Sequence, residues 1–164
     1  MHEAELYPRE GDMLEKKAAL IIDLDGTLCD TRHRQHHMQG EKKDWDAFYA
    51  GIPDDPINDW CADLIYQCSD LDSMILFVSG RPEKYRSVSK EWLKEKMPWS
   101  PGISRLFMRK DGDFRKDAIV KTEIYHQEIE PYFSVKFCID DRKQVVDAWR
   151  ALGLVCLQCA EGDF

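Results

Sequence analysis

The stretch Ile21-Ile22-Asp23-Leu24-Asp25-Gly26-Thr27 decides how the rest of the chain is read. It closes an apolar run from Ala18 to Leu24 with two carboxylates two residues apart, followed at once by a turn. A nearly continuous apolar run fits a strand buried on both faces of a sheet. Side chains two positions apart on a strand point the same way, so Asp23 and Asp25 share one pocket although the chain leaves the sheet near Gly26. Carboxylates held that close repel, and a hard divalent cation such as Mg²⁺ is the simplest neutralising partner. The plain alternative is an acidic loop after a buried strand.

Outward from this segment, strands are expected at Met74–Ser79, Arg105–Met108, Val135–Asp140 and Leu154–Gln158. Helical spacing of apolar residues lies between them. One helix is expected over 56–67, with Ile57, Trp60, Cys61, Leu64 and Ile65 inward. A second is expected over 82–97, with Pro82 in its first turn and Tyr85, Trp92 and Leu93 inward. A third runs from about Phe114 to Gln127 on Ala118, Ile119, Thr122 and Tyr125, and a fourth from Lys143 to Leu152, stopped by Gly153. Alternating strands and helices imply right-handed crossovers on a mainly parallel sheet. The expected fold class is α/β: a three-layer, Rossmann-like single domain over residues 1–164 with a five-stranded sheet. Residues 29–55 break the pattern and read as a small insertion after the first strand, with Trp45, Phe48 and Tyr49 docking it as a flap or rim.

Hydrophobic residues make up 43% of the 164 and charged residues 33%, the balance of a soluble globular protein. No apolar run approaches the roughly 20 residues that cross a bilayer, so no membrane partner is expected. The start of the chain carries Glu3, Glu5, Glu10 and Glu15 without the apolar stretch of a signal peptide, and a cytoplasmic location follows as the expectation. A net charge of −8 argues against broad non-specific nucleic-acid binding, while leaving room for a few arginines to grip one strand end. Of the six cysteines, Cys138 and Cys156 read as small core residues. Cys156 and Cys159 face opposite sides of a strand and make a poor metal pair, so no zinc site is expected, and the long chain without a secretion signal does not suit disulfides.

In an open parallel sheet, ligands bind beyond the carboxyl ends of the strands. Four polar clusters map there: Asp23 with Asp25, then Ser79-Gly80-Arg81, then Arg109, then Asp140-Asp141-Arg142. Lys121 joins them from a helix. A phosphate monoester would use every piece. One carboxylate attacks phosphorus, a second serves as acid and then base, and a hydroxyl and an ammonium hold the phosphoryl oxygens. Spacing alone does not say which of Asp23 and Asp25 attacks.

Asp23-Leu24-Asp25-Gly26-Thr27 resembles the first motif of the haloacid dehalogenase (HAD) superfamily of phosphotransferases. The resemblance implies that Asp23 is the nucleophile and Asp25 the acid and base, with the Asp25 backbone carbonyl also meeting Mg²⁺. It places phosphate contacts on Ser79 and Lys121, with Thr27 and Gly80 beside them, and metal contacts on Asp23, Asp25, Asp140 and Asp141, Asp141 being the direct one. A narrower resemblance, to the phosphatase domain of phage-type polynucleotide kinase-phosphatases, rests on Ser79-Gly80-Arg81, Met108-Arg109, Asp113-Phe114-Arg115-Lys116-Asp117 and Val120-Lys121. The tail from Asp140 to Arg150, closing in Gln158 and Gly162-Asp163-Phe164, shares it. It implies removal of 3′-terminal phosphate from polynucleotides, with Arg81, Arg109 and either Arg32 or Arg34 beside the phosphate. These residues contain no Walker A pattern, so no kinase half is expected within them, and whether a separately encoded kinase or ligase works alongside is left open by the sequence.

Two other readings stand beside this one. A nucleotidase acting on small nucleoside monophosphates would suit the acidic charge. A non-catalytic phosphate- or protein-binding module would keep the fold, but it has no need of Asp23. His33, His36 and His37 lack a ligand spacing and read as a rim. Trp45 and Phe48 either stack on a base or fasten the insertion, and Arg115 braces Asp113 and Asp117.

Overall fold

The computed structural model describes residues 15–69 and 72–162. Asp163 and Phe164 of the quoted tail, and Glu3, Glu5 and Glu10, lie outside them. Five parallel strands form one sheet: β1 (Lys17–Ile22), β2 (Met74–Pro82), β3 (Ser104–Arg109), β4 (Phe133–Asp140) and β5 (Cys156–Gln158), in the order β3-β2-β1-β4-β5. The chain runs outward one way through β2 and β3 and the other way through β4 and β5. Strand β1 therefore stands at the switch point where such sheets bind ligands. Ile22 pairs with Phe77 on one side and Ile139 on the other, so the loop after β1 is flanked by the ends of β2 and β4.

The period of two in β1 sorts its side chains between two cores. Leu20 and Ile22 pack with Cys61 and Ile65 of α2 (Asp59–Ser69) and with Trp92 and Leu93 of α3 (Arg86–Lys96). Ala19 and Ile21 pack with Val145, Val146 and Trp149 of α5 (Lys143–Ala151) and with Tyr125 and Ile129, a single π-helical turn that prolongs α4 (Asp117–Ile124). These helices cover both faces, as the apolar strands require. Each fully buried aliphatic side chain contributes roughly 1.5–3 kcal/mol.

The insertion holds a 3-10 segment, Arg32–Met38, then α1 (Trp45–Ala50) and a second 3-10 turn, Ile52–Asp54. Phe48, Tyr49 and Ile52 are buried in the same core as α2 and α3. The Trp92 indole N–H donates to the Asp55 carbonyl at 2.9 Å and ties the end of the insertion to α3.

Several expected boundaries move. Strand β2 continues through the Ser79-Gly80-Arg81 segment to Pro82, which sits opposite Arg109, so a 3-10 turn at Glu83–Tyr85 precedes α3. Helix α4 starts at Asp117 rather than Phe114, because Lys116 is extended. Its inward face is also turned by about one residue from the expected one. Ile119 is 49% exposed, whereas Val120 and Lys121 are buried, which brings a lysine rather than an isoleucine beneath the sheet edge. Trp60, expected inward, is 47% exposed. All six cysteines are free.

Trp92→Ala is expected to lower stability by about 3–5 kcal/mol in urea unfolding, from the cavity and the lost anchor. Trp92→Phe, which keeps most of the volume but strands the Asp55 carbonyl, is expected to cost about 1–3 kcal/mol.

Candidate active site

The loop after β1 folds tightly onto itself. The Thr27 and Cys29 amides donate to the Leu24 carbonyl at 3.1 and 2.8 Å, and the Gly26 amide to the Cys29 carbonyl at 2.9 Å. Gly26 has φ +85°, a conformation that disfavours any side chain, and a Cβ there would overlap the Asp141 carboxylate. Gly162 approaches the same carboxylate equally closely from the tail. The Asp141 side chain is thus seated between two glycines. Asp23, for its part, is held to β4 by its amide, which donates to the Ile139 carbonyl at 3.0 Å.

Two charge clusters result. In the first, Lys121 Nζ donates to Asp23 Oδ1 at 2.6 Å and to Asp140 Oδ2 at 2.8 Å, with all three side chains almost wholly buried. Oxygens of Asp23, Asp140 and Asp141 lie within 4.8 Å of one another. Three carboxylates against one ammonium leave two negative charges, and a hard oxygen set of that charge fits a divalent cation. Burial pushes the Asp23 pKa well above the usual carboxylate value; Lys121 opposes this, and Asp140 and Asp141 add to it. Burial, then the Asp140 charge, pushes Asp141 up to about 6. Burial works against the Lys121 ammonium too, but Asp140 and Asp23 outweigh it and hold the pKa above the lysine norm. Asp140 is occupied at both oxygens, since Oδ1 accepts from the Arg142 amide at 3.1 Å.

The second cluster surrounds Asp25. Arg34 donates to Asp25 at 2.6 Å and to both Asp55 oxygens at 2.7 and 2.6 Å. Arg81 Nε reaches the Asp25 oxygens at 3.1 and 3.0 Å, and Nη2 also bonds Asp25 and Asp55. Burial alone would raise the Asp25 pKa; Arg81 and then Arg34 overcome it and hold the carboxyl well below its ordinary range. Two acids and two guanidinium groups balance. Asp25, Cys29 and Asp55 also lie close enough to hold an ion, but their charge is already met, and burial keeps the Cys29 thiol protonated.

A cleft of about 820 Å³ opens over both clusters. Asp23, Asp25, Gly80, Arg109, Asp140 and Asp141 line it. Thr27, Ser79, Arg34, Arg81 and Lys121 are almost fully buried beside them. Arg34 and Arg81, expected beside the phosphate, turn their guanidinium groups onto Asp25 and Asp55. The Thr27 hydroxyl meets the Cys159 thiol at 3.6 Å, and the Ser79 hydroxyl accepts from the Arg81 amide at 3.2 Å. Arg109 bonds the Gly80 carbonyl at 2.9 Å and Asp117 at 2.8 Å, while a Cβ at Gly80 would overlap Asp117. Arg115 pairs with Asp113 at 2.7 Å and with Glu123 at 2.8 Å rather than with Asp117. His33 bonds the buried Asp55 at 2.8 Å.

Asp55 is the residue that sequence reasoning missed. Nothing local sets it apart from Asp54, and only the fold brings both arginines to it. Asp117 stands in a recognisable motif, but its grip on Arg109 comes from the fold and has no local signal.

The chain matches, over residues 17–164, the family described as the polynucleotide kinase PNKP phosphatase domain. It is 28% identical over 148 residues to a putative bifunctional polynucleotide kinase/RNA ligase of Autographa californica nuclear polyhedrosis virus, covering 90% of this chain and 20% of that protein. A solved Pnkp1/Rnl/Hen1 RNA repair complex contains a chain 31% identical to this one, with TM-score 0.78, over 99% of this chain and 48% of that one. A second structure of the Pnkp1/Rnl/Hen1 complex gives 31% and 0.74, over 100% and 53%. The chain therefore spans about a fifth to a half of these relatives. A class C acid phosphatase from Bacillus anthracis shares the fold at TM-score 0.66 and 16% identity, over 93% of this chain and 70% of that one. With the acidic pair after β1, the buried lysine and the Asp140-Asp141 end of β4 all in place, the chain belongs to the PNKP phosphatase-domain family of the HAD superfamily.

Proposed function

We propose that this chain is a Mg²⁺-dependent phosphomonoesterase that removes the 3′-terminal phosphate of a polynucleotide through an aspartyl-phosphate at Asp23. One observation carries the reading: Asp23, Asp140 and Asp141 bring carboxylate oxygens within 4.8 Å of one another at the open cleft, with Lys121 bonded to the first two and Asp25 beside them. An acidic cluster of this kind suits a divalent cation next to a carboxylate nucleophile.

An Asp23 carboxylate oxygen attacks phosphorus in line, and the bond to the ribose O3′ breaks. Asp25, ionised in the free protein, takes up a proton from solvent as the phosphate binds and gives it to O3′ as that oxygen leaves. Asp25 then takes a proton from water, whose oxygen attacks the aspartyl-phosphate, releasing inorganic phosphate and restoring Asp23. Lys121 and the Ser79 hydroxyl meet the phosphoryl oxygens, while Arg34 and Arg81 act by fixing the Asp25 carboxyl. Asp23, Asp141 and the Asp25 carbonyl, with Asp140 behind them, would hold Mg²⁺, which would supply positive charge to keep Asp23 ionised and to offset the phosphoryl charge. An incoming phosphate dianion beside Asp25 raises the proton affinity of that carboxyl, which the arginines depress in the free protein.

The whole unit, with residues 29–55 as a minimal cap, acts as one phosphatase domain. The open cleft favours a strand end over a mononucleotide. Kinase or ligase activity carried outside these 164 residues would supply or consume the ends it produces, in keeping with the kinase/RNA ligase name of its viral relative and the repair complex that contains its structural neighbour.

Phosphate release from 3′-phosphorylated oligonucleotides, with Mg²⁺, is expected to exceed release from nucleoside 3′- and 5′-monophosphates; equal or better turnover of the mononucleotides would support the nucleotidase reading. Asp23→Asn is expected to reduce kcat by more than about 10³-fold, and normal turnover would exclude the covalent route. Arg34→Met strands buried carboxylates and is expected to cost about 3–5 kcal/mol at neutral pH in urea unfolding. Because folding lowers the Asp25 pKa, the stability it contributes is present above the ordinary carboxylate range and is lost on acidification. The gap between wild type and Arg34→Met should therefore narrow below about pH 4.

A further inference from the structure

We propose that Phe114 and Trp45 form a base-stacking subsite at the mouth of the cleft, receiving the nucleobases next to the terminal phosphate of a single strand. The inference rests on the polynucleotide reading and deepens it: the enzyme recognises the strand, and not only its phosphate, through these two rings.

Phe114 is 95% exposed. A lone exposed aromatic is ordinary, but this one stands on a rigid mount. The Arg109 guanidinium donates to the carbonyls on both sides of it, Asp113 at 3.0 Å and Arg115 at 2.7 Å. The Arg115 amide donates to Asp113 Oδ1 at 3.0 Å, and the Asp113 amide to the Lys110 carbonyl at 3.2 Å. Gly112, at φ +76°, makes the turn between them. Such a loop loses little further conformational entropy when a ligand meets its tip. The same Arg109 bonds Gly80 and Asp117, so the Phe114 mount and the wall of the catalytic cleft share one anchor.

Trp45 lines the same cleft as Phe114, Asp23 and Asp25. It begins α1, whose first turn is capped by Asp44 accepting from the Ala47 amide at 3.0 Å. Its ring stacks on buried Tyr49, with centroids 5.8 Å apart and planes 22° apart, and meets buried Phe48 edge-on at 6.1 Å. Supported from within, Trp45 still leaves 48% of its surface open. Phe48, which sequence reasoning paired with Trp45 for stacking, is spent on the core and on the Arg34 guanidinium, 4.2 Å above its ring.

The charge of the cleft mouth suits a strand. Its acids have partners: Asp46 meets Lys84 at 3.0 Å and the Tyr85 hydroxyl at 2.9 Å, Asp111 accepts from the Lys84 amide at 2.9 Å, and Asp113 holds Arg115. Lys110 and Lys116 line the same mouth, where they would meet the phosphodiesters between stacked bases, and the Lys43 ammonium stands 5.8 Å above the Trp45 ring, from which an incoming base would displace it toward the backbone. Aromatic faces with cations between them bind single strands with little base preference.

The test is kcat/KM for a nucleoside 3′-monophosphate and for 3′-phosphorylated di- and trinucleotides. Wild type is expected to gain with length, and Phe114→Ala and Trp45→Ala to lose about tenfold or more of the trinucleotide value, chiefly through KM, the scale of one stacked base. Phe114→Trp should retain the gain. With wild type, an abasic residue next to the terminal nucleotide should cost a similar factor, and should cost nothing further in Phe114→Ala. Retention of the full length gain by both alanine variants, or equal turnover of abasic and intact strands, overturns the subsite while leaving the polynucleotide reading standing. A wild type that gains nothing with length overturns that reading, and the subsite with it.

Discussion

Everything at the carboxyl edge of the sheet depends on keeping a buried ammonium between two buried carboxylates. Lys121 touches Asp23 and Asp140 across the gap between α4 and the ends of β1 and β4. Removing a charge from water costs several kcal/mol unless partners replace the solvent, so these three side chains are obliged to find one another. Their union still leaves Asp141 unmatched. The protein thus carries a built deficit of positive charge at one place, and a hard cation or a site of catalysis is where such a deficit is tolerated.

The neighbouring cluster follows the opposite rule. Asp25 and Asp55 meet Arg34 and Arg81 in balance, and the rigid planes of the guanidinium groups fix the orientation of the Asp25 carboxylate. Two aspartates two residues apart are therefore differentiated entirely by their surroundings. One shares a single ammonium with Asp140, and the other is held by two guanidinium groups.

The insertion has a structural part in this. It supplies Arg34 and Asp55 to the balanced cluster and Phe48 and Tyr49 to the core, so the segment read as a docked flap or rim also holds the charges behind Asp25. Its Trp45 edge, with Lys43 and Asp46 beside it, remains open at the mouth. On the opposite wall, Arg109 gathers Gly80, Asp117 and the turn carrying Phe114 into one unit. A few cations in this acidic protein thus act as braces as much as ligands.

The apolar run into Asp23, the clusters that end later strands and the helical spacings between them were sufficient to determine a parallel three-layer sheet with its chemistry at one edge. Strand burial is written in local periodicity, and parallel topology forces all the carboxyl ends together. What local pattern does not contain is which distant charge each residue will meet. Lys121 reaches Asp23 across 98 positions and Arg81 reaches Asp25 across 56, while Asp55 has no local mark of its role. Nor does periodicity fix the rotation of α4, which the demand for Lys121 in the acidic cluster settles at the expense of Ile119. Long-range charge pairing in a low-dielectric interior is a property of the folded whole, and only the tertiary structure decided it.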